Sequence, residues 1–327
     1  MHHPQASMYK AAFMTLIQGD SVDDFGLLLR TVRDLEDSFN HAHGYPFVIF
    51  SVDPLSTRAK ELVASLTSGT VHFETLHGQQ QFYGYGPETQ LGKAVKARHQ
   101  LKDQVDEGDS KTFRFNARFM AGTLYQHPAL KELDYIWRFQ PGTHYPCPIF
   151  EEEQATKDPF YYMYKHQKKL SFSLTVREPI QAAPTLFQTV TDYINKHPAI
   201  QSRLTQRDSL WPLVASKEDG QYTQCEFSSS FQIADLSFFR SDQYQSFFDH
   251  IDKANGIFYE RWSDSAIQSM GAALFLKKQD IHRWEDVGYR GLGGLLYCPT
   301  NPDLWSRCDC RPEYNFDDSR TCLAFLA

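Results

Sequence analysis

No window of about eighteen apolar residues occurs in the 327-residue chain, so no segment has the composition of a membrane-spanning helix. The N-terminus, Met-His-His-Pro-Gln-Ala-Ser, is polar and has no apolar signal core before Ala11, so the chain as written carries neither anchor nor signal peptide. There is no long basic run, and the net charge is −7, which argues against a nucleic-acid partner. Neither Gly-x-Gly-x-x-Gly nor a Walker A pattern follows the early strands, so a dinucleotide or P-loop site is unsupported. Internal repeats, low-complexity tracts and domain linkers are also missing. Cysteine is scarce, with six in all, but four of them (Cys298, Cys308, Cys310, Cys322) crowd the last thirty residues, with Cys147 and Cys225 upstream. An even count in a loop-rich tail points to a disulfide framework and an oxidising compartment. Cys308-Asp-Cys310 is spaced too tightly for the usual zinc pair.

What is present is a substantial apolar content of 41%, enough for a large core, and many aromatics, with 25 Phe and 17 Tyr. Lys10 to Gln18 is a short apolar run with the length of a buried strand. Ser21 can cap a helix with Asp24 three residues on, and Phe25, Leu28, Leu29, Val32, Leu35 and Phe39 follow at helical spacing. Strands at Pro46 to Val52 and Val71 to Leu76 flank a helix from Thr57 to Leu66. A β-α-β-α-β start with strands apolar throughout predicts a mostly parallel sheet with right-handed crossovers. Such sheets bind ligands at the carboxyl ends of their strands, here near Gln18 to Asp20 and Asp53 to Pro54. Further on, the pattern predicts a basic helix around Lys93 to Lys102, a helix from Phe113 to Tyr125 and a strand from Leu133 to Phe139. It then gives a strand from Lys169 to Val176 and a helix from Pro184 to Asn195 stopped by His197-Pro198. A strand from Phe231 to Leu236 and a helix from Gln243 to Ala254 follow.

The densest chemistry runs from Ile257 to Gly291. Tyr259 and Trp262 bracket Glu260, Arg261 and Asp264 just before an apolar helix, Ala266 to Leu276. Aromatic faces cover the C–H face of a sugar, and a carboxylate binds or deprotonates a hydroxyl. The plainer alternative is a helix entry capped by Ser263 or Asp264, with Tyr259 and Trp262 in the core.

Several stretches together carry a resemblance: KAAFMTL, ARFMAGTLYQHP (Ala117 to Pro128), LDYIWRFQP, PTLFQTV, SSSFQIADLSFFRS (Ser228 to Ser241), and FYERWSD through EDVGY. With these the chain resembles the fungal α-1,2-mannosyltransferases of glycosyltransferase family 15, from about Lys10 to Cys322. The resemblance implies an α/β fold of GT-A (Rossmann-like) type, with a mixed, mostly parallel sheet flanked by helices in a single domain with a disulfide-rich C-terminal tail. It further implies a catalytic domain over residues 10–327, with residues 1–9 a disordered or appended N-terminus. The activity it implies is transfer of mannose from GDP-mannose, with Mn²⁺, to a mannoside acceptor in the Golgi lumen, with retention. Family members usually carry an N-terminal anchor.

Carried over by local motif, the family's metal-binding acid falls on Gln140 and its histidine ligand on Gly291. A nucleotide-lining tyrosine falls on Phe113, and the proposed nucleophilic glutamate on Gln232. Asp264, Arg118, Arg138, Glu260, Arg261 and Trp262 are retained. Loss of both metal ligands weakens or abolishes Mn²⁺ binding. Gln232 cannot form a glycosyl ester but can stabilise an oxocarbenium-like transition state. Candidate replacements for the metal are Glu226, a new acid near Gln232, and the cations Arg118, Arg138 and Arg290; the alternative for Glu226 and Arg290 is a solvated surface charge. Three functions follow. One is a metal-independent mannosyltransferase with Asp264 as base or acceptor clamp. The second is an inactive homologue that binds glycans or a partner. The third is a transferase with a changed sugar nucleotide or a small-molecule acceptor.

Overall fold

In the computed structural model, residues 8–149, 158–316 and 322 are described. The first strand, β1 (Ala11–Ile17), sends alternate side chains to two separate cores: Ala12 and Met14 to one, Ala11, Phe13 and Ile17 to the other. A strand buried on both faces must be apolar at every step, which is why its sequence reads as a run rather than an alternation. After β1 come α1 (Val22–Ser38), β2 (Phe47–Ser51), α2 (Thr57–Ala64) and β3 (Val71–Thr75). Ser21 stands at the start of α1 in extended conformation, but its side chain makes no capping hydrogen bond. Then follow α3 (Leu91–Leu101), α4 (Lys111–Ala121), β4 (Tyr135–Phe139), α5 (Pro159–Lys165), β5 (Leu170–Phe172) and β6 (Thr175–Arg177). The next group is α6 (Leu186–Lys196), α7 (Pro198–Leu204), β7 (Cys225–Phe227), β8 (Phe231–Asp235), α8 (Leu236–Phe239), α9 (Asp242–Ala254), α10 (Gly256–Tyr259) and α11 (Asp264–Phe275). The chain closes with β9 (Ile281–Arg283), β10 (Tyr289–Arg290), β11 (Leu296–Tyr297) and α12 (Pro302–Trp305).

Seven strands form one sheet in the order β3-β2-β1-β4-β8-β5-β9. β3, β2, β1 and β4 run parallel, β8 is antiparallel to β4 and β5, and β9 is parallel to β5. The expected mixed, mostly parallel α/β sheet in a single domain is what the chain adopts. Two pairs, β6 with β7 and β10 with β11, lie outside it.

One strand expectation needs revision. The strand read from Lys169 to Val176 is two strands, because the backbone leaves β8 after Phe172 and pairs next with β7 from Thr175. The helix before His197-Pro198 stops there as expected, with His197 its cap, and Pro198 then opens α7 at its first position, where the missing N–H costs nothing.

The strand alternation sets the site. On β4, Ile136 joins the core under α4 and α11, whereas Tyr135, Trp137 and Phe139 join the core under α1 and α2. Arg138 shares the face of Ile136, and on β8 Gln232 shares the face of Ala234. Both functional candidates therefore point to the layer that contains α4 and α11.

The six cysteines form three disulfides, Cys147–Cys308, Cys225–Cys322 and Cys298–Cys310. They tie the C-terminal tail to β7 and to the segment after β4. No helix among the described residues is long and apolar enough to cross a membrane.

Candidate active site

Arg138 and Gln232 face each other across the β4–β8 pair. The Arg138 guanidinium donates to the Asp264 carboxylate, which also accepts from Ser229 Oγ at 2.9 Å. Asp264 is the first residue of α11, where the helix dipole favours a negative charge. Its neighbour Ser263 is the cap, accepting from Ala266 N. Three elements thus meet at Asp264: the end of β4, the Ser228–Ser230 turn before β8, and the start of α11. The carboxylate and guanidinium remain 14% and 15% exposed, so they border solvent.

Gln232 is 2% exposed. Its Nε2 donates to Gln268 Oε1 at 2.7 Å, and Gln268 Nε2 passes the chain on to Met120 O and Tyr125 Oη. Gln232 Oε1 has no protein partner. Gln268, Ser229 and Glu178 are site residues that the sequence reading did not pick out. The Ser228–Ser230 run was a visible signal for one of them; the others needed the fold.

Most of the Glu260–Trp262 block is structural. Trp262 was a candidate sugar platform, but it is fully buried, with its ring lying against Gly256 so closely that a Cβ there would meet it at 2.0 Å. It presents no face to a ligand. Glu260 accepts from Trp262 Nε1 at 2.6 Å and from Thr185 N and Oγ1, fastening the start of α6. Arg261 donates to Glu178 at 2.7 Å, and its guanidinium stacks over Phe113 with 4.4 Å to the ring centroid. Tyr259 is half-buried, its hydroxyl accepting from Gln90 N at 2.9 Å and its ring covered by Lys93.

The proposed substitutes for a metal fare unequally. Arg118 is 5% exposed and committed to a two-pronged pair with Asp252 at 2.8 to 3.1 Å, so burial and geometry remove it from the site. Glu226, the candidate replacement acid near Gln232, is 5% exposed and lies beside Glu178 and Ser263, so it is not the solvated surface charge of the alternative. Burial above all, then the charges of Glu178 and Asp264, push its carboxyl well above the ordinary glutamate range. Arg290 is exposed on β10, and its backbone pairs with His144. Tyr289, beside it, donates to Ser230 Oγ at 2.7 Å, so β10 abuts the turn that holds Asp264.

The fold presents no fitting manganese ligand set at the family's two positions. Gln140 is exposed and offers a neutral amide. Gly291 offers no side chain, and a Cβ there would meet Tyr289 Oη at 2.8 Å and its ring at 2.9 Å. Among the described residues, the group of three thiol, imidazole or carboxylate ligands close enough to share an ion is Cys147, Cys308 and Cys310, whose sulfurs are all in disulfides. A cleft of about 630 Å³ between α5 and β9 has none of Arg138, Ser229, Gln232 and Asp264 in its lining; Tyr162, His282 and Trp284 in its wall pack on one another.

A sequence profile described as glycolipid 2-alpha-mannosyltransferase matches residues 2–324. Glycolipid 2-alpha-mannosyltransferase 2 of Candida albicans is 31% identical over 310 residues, which cover 94% of this chain. The chain spans 64% of that relative's length, just under two thirds. The structure of the mannosyltransferase Ktr4p of Saccharomyces cerevisiae in complex with GDP matches with a TM-score of 0.86 and 25% identity, over 98% of this chain and 82% of that one. Core-mannan synthase A of Aspergillus fumigatus, in its Mn/GDP form, shares the fold with a TM-score of 0.84 at 24% identity, over 94% and 80% of the two chains.

Proposed function

The chain belongs to the glycolipid 2-alpha-mannosyltransferase family, and from that premise we propose that it is a retaining α-1,2-mannosyltransferase. In this reading residues 10–327 transfer mannose from GDP-mannose to a hydroxyl of a mannoside, without a manganese ion held by the protein. Relatives named as α-1,2-mannosyltransferases and a fold neighbour solved with GDP support the donor and the reaction class. The observation that carries the reading is Asp264, held between Arg138 and Ser229 at the partly open carboxyl end of β4.

Asp264 has the chemistry of an acceptor clamp or base. It accepts two hydrogen bonds from the protein and retains lone pairs for a sugar hydroxyl. Gln232, in the same layer, is an amide that cannot form a glycosyl ester, and its buried, unpartnered carbonyl oxygen lies behind Asp264 rather than on the open side of the site. Exposed Arg290 is the cation left to offset the diphosphate, since Arg118 is spent. The three disulfides fit the oxidising lumen of the secretory pathway, and we place the protein in the Golgi lumen.

Thermal melting with GDP, GDP-mannose and Mn²⁺, alone and combined, tests this. Stabilisation by GDP-mannose that is indifferent to Mn²⁺ is expected; silence with every nucleotide sinks it. A second reading, a mannoside-binding homologue without catalysis, is favoured by the Gln140 and Gly291 positions, and it predicts stabilisation by mannosides alone.

A further inference from the structure

Behind Asp264 lies a buried group of three oxygens whose protons can be counted. Ser263 Oγ is 2.9 Å from Glu178 Oε2 and 3.2 Å from Glu226 Oε2, and it accepts from Ala266 N at 3.1 Å. The hydroxyl has one proton to give. Arg261 is the cation at hand, and it donates to the other oxygen of Glu178 at 2.7 Å. The shorter Ser263 contact and the guanidinium both favour Glu178 as the ionised member, with Ser263 donating to it. Glu226 is then left facing a hydroxyl whose proton points elsewhere. Two oxygens with only lone pairs at 3.2 Å repel, and the Glu178 carboxylate beside Glu226 is a second acceptor facing it, so a proton on Glu226 removes both repulsions.

We propose that Glu226 is a neutral carboxylic acid that positions Asp264, acting through Ser263, the cap of α11. This deepens the mannosyltransferase reading and rests on it. The groups facing Glu226 agree with a neutral state. Glu178 and Tyr222 lie on the side of β6 and the chain leading into β7, and Asp264 follows Ser263 on α11. Arg138 on β4 is taken by Asp264, and Arg261 by Glu178. An ionised Glu226 would add a third negative charge to Glu178 and Asp264, with both guanidinia already committed and Glu226 only 5% exposed. Burial raises the proton affinity of both glutamates, with Arg261 opposing this at Glu178. The acid is a positioning residue because it touches the cap and not the reacting atoms. Two residues on, the same backbone becomes the turn whose Ser229 holds Asp264, so a shift of β7 displaces Asp264 from two directions.

The test uses the whole chain and the variants E226Q and E226A. Glutamine reproduces a neutral donor toward Ser263, and alanine removes it. A group whose folded pKa is raised contributes stability that is complete below its unfolded value and is lost as pH rises through the folded value. The wild-type melting temperature is therefore expected to fall, relative to E226Q, as pH rises above 4.5, the ordinary glutamate value. With GDP-mannose and a methyl mannoside, kcat of E226A is expected to drop roughly tenfold or more with KM for the donor little changed, and E226Q to rescue it. The alkaline limb of the wild-type kcat profile should move to higher pH in E226Q. Melting curves that run parallel with pH in wild type and E226Q overturn the proposal, as does an E226Q enzyme as impaired as E226A. If no variant, wild type included, transfers mannose, the functional reading fails, and the melting comparison still decides the protonation state.

Discussion

Asp264 and Gly291 separate what the site retains from what it has lost. Asp264 keeps two hydrogen-bond donors and some exposure, so D264N should fold normally yet lose roughly 100-fold or more in kcat/KM, because the amide cannot accept a proton. Transfer assays run beside thermal melting check both halves of that statement. Gly291 is different, since the Tyr289 ring already lies where a side chain would begin. G291H should therefore not recover Mn²⁺ binding in calorimetry. It should also cost about 1–3 kcal/mol of stability from overpacking, read from a urea midpoint.

Arg118 and His144 show how contacts between elements settle what single residues can do. Arg118 on α4 and Asp252 on α9 form a buried pair, so R118A strands a carboxylate and should cost about 3–5 kcal/mol in urea unfolding. If Arg118 instead served the nucleotide, the loss would appear in donor binding with stability intact. His144 links α1 to the tail, at 2.9 Å from Asp34 and 3.2 Å from Asp309. The hydrogen bond to Asp34 is the main cause of its raised pKa, against a smaller opposing effect of burial, and Asp309 adds to the rise. A raised histidine stabilises the fold fully below its ordinary value of 6.5 and loses that contribution as pH rises through the folded value. Unfolding midpoints should thus decline above about pH 6.5, and H144A should flatten the decline.

Contacts of this kind explain what the sequence could and could not reveal. β1 and β2 were readable because burial on both faces makes an unbroken apolar run, and α11 because Ser263 precedes an apolar stretch. The Tyr259–Asp264 block was not. A buried Trp262 bonded to Glu260 and a solvent-facing Trp beside a free Glu have the same letters, and only Gly256 under the ring distinguishes them. Likewise, Glu226 looks like a surface acid until Glu178, 48 residues earlier by their numbers, is found beside it.

Across the whole molecule, the disulfides close large loops, with partners 161 and 97 residues apart. Replacing Cys225 and Cys322 with serine should lower the unfolding free energy by about 4.7 kcal/mol on the loop-entropy estimate, measured by urea unfolding without reductant. Because β7 also carries Glu226, the same double variant should move the pH dependence of melting, a coupling absent from a C298S/C310S variant, which loses only a bond between residues 12 apart within the tail.

The pairing pattern also bears on the order in which the chain is made. Cys147 and Cys225 are synthesised first, and neither is the other's partner; Cys308 arrives 161 residues after Cys147, on the order of 10–30 s later at typical elongation rates. In the oxidising surroundings that three disulfides call for, the two early thiols then wait without a correct partner, and a wrong Cys147–Cys225 bond would join the loop after β4 to β7. Assembly of β1 to β4 before the tail emerges would hold Cys147 away from Cys225 until its partner arrives.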